Sequence, residues 1–293
     1  MITVPAAFRE MPRWWHDVAG REWLDRLPSL VAEQCRRWDL QVDGGPLHGS
    51  NALVVPVRRG AEAAVLRLAP PGDDVSREAE ALRWWDGRGT VRLLEADVPA
   101  RAMILERLSA RSLQSVPLAE AVPVIADLAA RMAVPAPPGA TSTARIAAAH
   151  LEEFPRDWER LGRPVPRRQL EIALGIAAEL AALPPGGDAV DGDLHCEQVL
   201  AGEREPWLVV DPVLLRGDLE HDLARVLWSR LDEVADDPEL RRLVDLFARR
   251  TGVHGERARA WIVLRSLSYL LWGLDQGLTR DPPKCRRLLD VFA

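Results

Sequence analysis

The apolar residues of this chain change their spacing once, and that change restricts the fold more than any other feature. Residues 21–40, REWLDRLPSLVAEQCRRWDL, place apolar side chains three and four apart, as an amphipathic helix does. Past Leu40 the runs become short and β-branched. NALVVPVRR and AAVLRLA flank Arg59-Gly60, which predicts a hairpin. VRLLEAD and RAMILERL add two further strand-like runs. Between the two pairs, DDVSREAEALRWWDG (73–87) opens on Asp and Ser and closes on Gly, the punctuation of a helix. Ahead of the hairpin DGGPLHGSN, with three glycines and a proline, reads as a loop.

From residue 109 the pattern is helical, broken by VPAPPGATST (134–143) and LPPGGDAVDG (183–192); one later run, PWLVVDP, reads as a strand. A chain of 293 residues is long for a single core, so two units are expected. The first is a β-rich N-terminal lobe with a leading helix over 1–108. The second is a helical C-terminal lobe over 109–293.

Composition narrows the function classes. A net charge of −6 argues against nucleic acid as a partner and suits a cationic small molecule better. No apolar run is long enough to span a membrane, and MITVPAAFREMPRWWHD lacks a basic region followed by an apolar one, so no signal peptide is expected. Cys35, Cys196 and Cys285 show no metal-ligand spacing, which favours reduced thiols in a cytoplasm. Of the 38 basic residues one is lysine, Lys284, so the first 283 residues hold none.

Three features follow one another in order: a Gly-rich loop between strands, a strand with a central cation (Arg67), and a loop–strand pair carrying Asp193, Gln198 and Asp211. Phosphoryl transfer needs such parts, because backbone amides and a cation hold phosphates, hard oxygens hold Mg²⁺, and a carboxylate orients the attacking hydroxyl. The stretch LHCEQVLAGEREPWLVVDPVLLRGDLEHDLA, together with RWDLQVDGG, ALVVPV, ALRWWDGRGTVRLLEAD and ILERL, resembles the aminoglycoside phosphotransferase superfamily. It is most similar to the branch of streptomycin 6-phosphotransferases and hydroxyurea-resistance kinases. The resemblance is collinear over about residues 20–275.

That resemblance implies an α+β, protein-kinase-like two-lobed fold, with a small five-stranded antiparallel β lobe holding one helix and a larger helical lobe. ATP, with GTP as the alternative, would bind between the lobes with Mg²⁺. Asp193 is implied as the residue that orients the acceptor hydroxyl, and Gln198 and Asp211 as metal ligands. Arg67 stands for the phosphate-gripping lysine and Glu78 for its helix partner. Ser50, in the Gly-rich loop, joins the nucleotide site, and backbone groups near Glu106 and Leu108 would meet adenine. Asp222 would brace the catalytic loop.

Three positions depart from the family pattern. Asp191 replaces a histidine, Gln198 an asparagine and Arg67 a lysine. Gln198 keeps an amide oxygen on a longer stem, so its loop must recede by about 1.5 Å to present it in the same place. Arg67 can grip phosphate bidentately. Asp191 sets a second carboxyl beside Asp193, so that one pKa rises or Asp191 joins as an additional ligand.

His195 reads as structural, and Cys196 lacks the partners of a nucleophile. His48 faces either phosphate or solvent. Asp218, Glu220 and Asp222 would favour a cationic acceptor, although Asp218 also reads as a helix N-cap. The expected function is phosphorylation of a small-molecule hydroxyl, on an aminoglycoside such as streptomycin or on hydroxyurea, by a monomer or homodimer. The alternative is a pseudokinase that binds nucleotide or antibiotic with little or no turnover.

Overall fold

The computed structural model describes residues 2–184 and 186–293. The chain divides into two compact units, Met1–Ser109 and Ala110–Ala293. In the first, α1 (Ala6–Arg9) leads into α2 (Val18–Arg37), whose N-cap Asp17 accepts the Gly20 amide at 2.8 Å. Strands β1 (Gln41–Val42), β2 (Leu47–His48), β3 (Leu53–Arg59) and β4 (Glu62–Leu68) follow, then α3 (Val75–Trp85), β5 (Leu93–Asp97) and β6 (Ala102–Glu106). All pair antiparallel in the order β1-β3-β4-β6-β5, with β2 on the edge of β3. The β3–β4 turn falls at Gly60, whose φ of +61° suits glycine.

The sheet has six strands where five were expected, because the Gly-rich stretch is not all loop: Leu47 and His48 pair with Val54 and Leu53. Two-residue strands leave no alternation to read. The period of two sorts the sheet faces. Leu53, Val55, Val57, Leu66, Leu68 and Ile104 join Phe8, Trp14, Trp23 and Leu27 of the N-terminal helices in one core. Val54, Arg67 and Met103 are mutually registered and point to the opposite face.

The second unit is mainly helical: α4 (Leu118–Met132), the short β7 (Thr141–Ser142), α5 (Thr143–Arg160) and α6 (Arg167–Ala182) come first. Next come β8 (Ala189–Asp191), β9 (Val199–Leu200), β10 (Leu208–Val209) and β11 (Leu214–Arg216), then α7 (Leu223–Ser229), α8 (Asp237–Thr251), α9 (Gly255–Asp275) and α10 (Asp281–Phe292). Helix α9 is apolar on most of its faces and packs against α5, α6, α7, α8 and α10, as a central helix must. PWLVVDP contributes only Leu208–Val209 as strand. Of the eleven tryptophans, Trp14, Trp23, Trp85, Trp158, Trp228 and Trp261 are buried, so six of them are packing.

Candidate active site

Two short pairings in the second unit converge three of the expected residues. Strand β8 pairs antiparallel with β11, Asp191 opposite Leu214, and Asp193 lies just beyond the end of β8. A 3-10 turn, Cys196–Gln198, leads into β9, which pairs with β10 through Val199 opposite Val209. That register continues as Val210 donating its amide to the Gln198 carbonyl at 2.8 Å, so Gln198 and Asp211 come together. Gln198 Nε2 donates to Asp193 Oδ2 at 2.9 Å and to the Asp211 carbonyl at 3.5 Å. The extra methylene of glutamine therefore lets one amide reach both acidic residues.

The other Asp193 oxygen, Oδ1, lies 2.9 Å from Arg225 Nε. Burial pushes the Asp193 carboxyl up to about 6, against the pull of Arg225. Asp211 has a φ of +56°, a left-handed backbone that costs a non-glycine residue about 1–3 kcal/mol and marks functional loops. Gln198 Oε1 is buried and has no hydrogen-bond partner among the described residues. A hard amide oxygen without a donor, beside the strained Asp211, fits a Mg²⁺ ligand set. The described residues hold no cluster of three His, Cys, Asp or Glu side chains arranged for a metal.

Asp222 turns its Oδ2 to the Leu194 amide at 3.3 Å, bracing the loop, and its Oδ1 pairs with Arg265 at 2.9 Å. Burial alone would raise this carboxyl, but His221 and Arg265 hold it below the usual range. His195 is buried, which pushes its imidazole down to about 3 and keeps it neutral, in a structural role. Cys196 is fully buried against Arg230, 3.5 Å from its sulfur, and burial raises the thiol, so it is no nucleophile. Asp191 points inward rather than toward a ligand, with Oδ1 bonded to two backbone amides. Burial pushes its carboxyl well above the ordinary range, so of the two outcomes expected for this acid the structure shows the raised pKa.

Asp218 is not a side-chain cap. Its Oδ1 pairs with Arg257 and its Oδ2 accepts Trp261 Nε1 at 2.8 Å. Asp218, Glu220 and Asp222 are all buried, so they are no acidic wall for a cationic ligand. Arg225 and Arg265, which hold Asp193 and Asp222, were not anticipated. Nothing in the sequence separates either from the other arginines.

In the first unit, Arg67 and Glu78 form a buried ion pair at 2.9 Å, exposed by 7% and 9%. The sheet period aims Arg67 at the face opposite the core, toward α3. Ser50 lies in the β2–β3 turn, and its carbonyl accepts from Arg13 at 3.3 Å. His48 packs its ring on Phe8, centroids 5.0 Å apart. Glu106 spends its side chain inside the unit, Oε2 accepting the Arg92 amide at 3.1 Å, and Leu108 follows just past β6.

An antiparallel sheet with a buried Arg–Glu pair, and a helical unit whose loops gather two acids around an amide, are the parts of a protein-kinase-like α+β fold with a candidate phosphoryl-transfer site. Solved structures agree on the fold. An aminoglycoside phosphotransferase APH(4)-Ia mutant, crystallised as a ternary complex with ADP and hygromycin B, aligns with a TM-score of 0.64 at 16% identity, covering 89% of this chain and 98% of that one. Choline kinase LicA from Streptococcus pneumoniae aligns at 0.62 and 13%, covering 91% and 99%.

Residues 37–277 match the family model for aminoglycoside/hydroxyurea antibiotic resistance kinases. A streptomycin 6-kinase of Streptomyces griseus is 40% identical over 94% of this chain and 92% of its own. A hydroxyurea phosphotransferase of Kitasatospora aureofaciens is 41% identical, over 97% and 84%. The chain belongs to the aminoglycoside/hydroxyurea antibiotic resistance kinase family.

Proposed function

We propose that this chain transfers the γ-phosphoryl group of ATP to a hydroxyl of a small antibiotic-type acceptor, with streptomycin and hydroxyurea as the first candidates. The convergence of Asp193, Gln198 and Asp211 carries the proposal. Asp193 orients the acceptor hydroxyl and takes its proton as the oxygen attacks phosphorus. The new O–P bond forms while the bond between the γ-phosphorus and its bridging oxygen breaks, and ADP leaves. Phosphoryl transfer depends on positioning and on neutralised charge more than on proton abstraction, so a carboxylate held by one amide donor and one ion pair suffices.

Gln198 through Oε1 and Asp211 through its carboxylate would hold Mg²⁺, which when bound supplies positive charge to the phosphate oxygens. Arg67, fixed by Glu78, is assigned to the phosphates, with the Ser50 turn beside them. Backbone groups near Glu106 and Leu108 are assigned to the purine, and ATP rather than GTP is the donor proposed. Asp222 keeps the Asp193 loop in place. No helix among the described residues is long and apolar enough to cross a membrane, and all three cysteines are free, which suits a reducing compartment.

The test is an ADP-release assay over a panel of aminoglycosides and hydroxyurea, with and without EDTA. Magnesium-dependent release with at least one acceptor is expected. ATP binding without release on any acceptor would instead favour a nucleotide-binding pseudokinase.

A further inference from the structure

Asp191 stands where the family pattern has histidine, and its surroundings give that carboxyl a task of its own. Its Oδ1 accepts two backbone amides at once, that of Asp193 at 3.1 Å and that of Val213 at 2.9 Å. One amide lies on the loop of the proposed hydroxyl-orienting residue. The other lies two residues beyond the proposed metal ligand Asp211. Gly192 donates to the Val213 carbonyl at 2.7 Å, so the two segments are already adjacent, and Asp191 ties them on a second side.

The second segment needs tying. Asp211 is in the left-handed region at φ +56°, and such a residue persists only where its neighbours over-determine it. Pro212 fixes its own φ and offers no N–H. Val213 therefore carries the first amide after Asp211 that can anchor the strained turn, and Asp191 accepts it.

The remaining oxygen faces inward. Asp191 Oδ2 is buried without a hydrogen-bond partner among the described residues. Asp191 lines a cavity of about 10 Å³ with Leu194, Asp222, Ile125 and Phe247. That space admits roughly one water, which Asp191 and Asp222 could both bond. Burial pushes the Asp191 carboxyl well above the ordinary range, which favours its protonated form. A neutral carbonyl oxygen accepts two amides without placing a second negative charge beside Asp193.

We infer that Asp191 is a positioning residue that locks the Asp193 loop and the Asp211 loop to each other through one shared oxygen, in place of the family histidine. The inference rests on the phosphotransferase function proposed above, but its structural half is measured without turnover. Hydrogen–deuterium exchange on the full chain reads the segments 191–195 and 211–215. In Asp191→Ala both segments should exchange about tenfold faster, the loss expected for one hydrogen bond each. Asp191→Asn keeps an oxygen of the same reach and should retain most of the protection. Protection unchanged in the alanine variant, or lost in only one segment, overturns the lock. So does an asparagine variant that exchanges about tenfold faster than the parent chain in both segments, a result that stands even if Asp191→Ala fails to fold.

The kinetic half splits kcat from KM. Loops misplaced by an ångström cost on the order of 100-fold in rate, so Asp191→Ala should lose kcat on that scale while KM for ATP and acceptor stays within about twofold. Asp191→Asn should recover most of the lost rate. A kcat for Asp191→Ala within twofold of the parent chain overturns the positioning role. A parent chain that phosphorylates no acceptor counts against the proposed function, and the exchange result then decides the lock by itself.

Discussion

Glu220 offers a quantitative check on the electrostatics of the helical unit. It is 2% exposed, and its nearest cation, Arg257, lies 3.6 Å away and is shared with Asp218. Burial, reinforced by Asp218, lifts its carboxyl from the ordinary 4.5 to about 7. The folded chain thus holds a proton that the unfolded chain releases between pH 4.5 and 7. Across that window the native state binds more protons, so stability falls as pH rises, and the full cost is present above about 7. A displacement of about two and a half pH units is worth on the order of 3 kcal/mol.

Glu220→Gln removes the ionisation and keeps the shape. The variant should match the parent chain near pH 4.5 and exceed it by up to about 3 kcal/mol at pH 8. Urea unfolding at both pH values, followed by circular dichroism, gives the difference. A gain that does not change with pH, or a variant less stable than the parent at pH 8, would refute the assignment of a buried, proton-holding glutamate.

Three further outcomes are expected. Arg67→Ala removes the buried cation paired with Glu78 and should cost about 3–5 kcal/mol, whereas Arg67→Lys keeps the pair and should keep turnover; an alanine variant that melts with the parent would contradict the buried pair. Gln198→Leu removes the orphan oxygen and the donor to Asp193, and should raise the Mg²⁺ concentration needed for half-maximal rate about tenfold, read by titrating Mg²⁺ at fixed ATP; an unchanged Mg²⁺ response would contradict the ligand assignment. Alkylation of the folded chain at about pH 8 should leave Cys196 and Cys285 unmodified, because burial raises both thiols; fast labelling of Cys196 by peptide mapping would contradict its burial.

What could be read from the residues alone follows physical size. The β3–β4 hairpin was legible because two apolar, β-branched runs flank Arg59-Gly60, and each becomes a seven-residue strand. β1, β2, β7, β8, β9 and β11 were not, since strands of two or three residues are held by tertiary context rather than by pattern, and of the strand read in PWLVVDP only the two residues of β10 pair. At the site, the residue types were visible and their partners were not. Gln198 looked like a lengthened metal ligand, yet its geometry makes it also a bridge to Asp193. Arg225 could not be picked out, because a helix surface arginine and one aimed at a carboxylate are the same letter. Asp218 and Glu220 looked able to favour a cationic acceptor because sequence does not show burial, and burial beside Arg257 turns them into framework, whereas Asp222 was read as a brace and is one.

In the proposed reaction Asp193, held between Gln198 and Arg225, directs a small-molecule hydroxyl at ATP. A single-turnover reaction with γ-labelled ATP, Mg²⁺ and streptomycin or hydroxyurea tests it most directly, run on the parent chain and on Asp193→Asn, with the product identified by phosphorus NMR and mass spectrometry. A phosphoester on the acceptor is expected with the parent chain, and a rate at least roughly 100-fold lower with the variant while ATP binding persists. Equal rates from the two chains would contradict it.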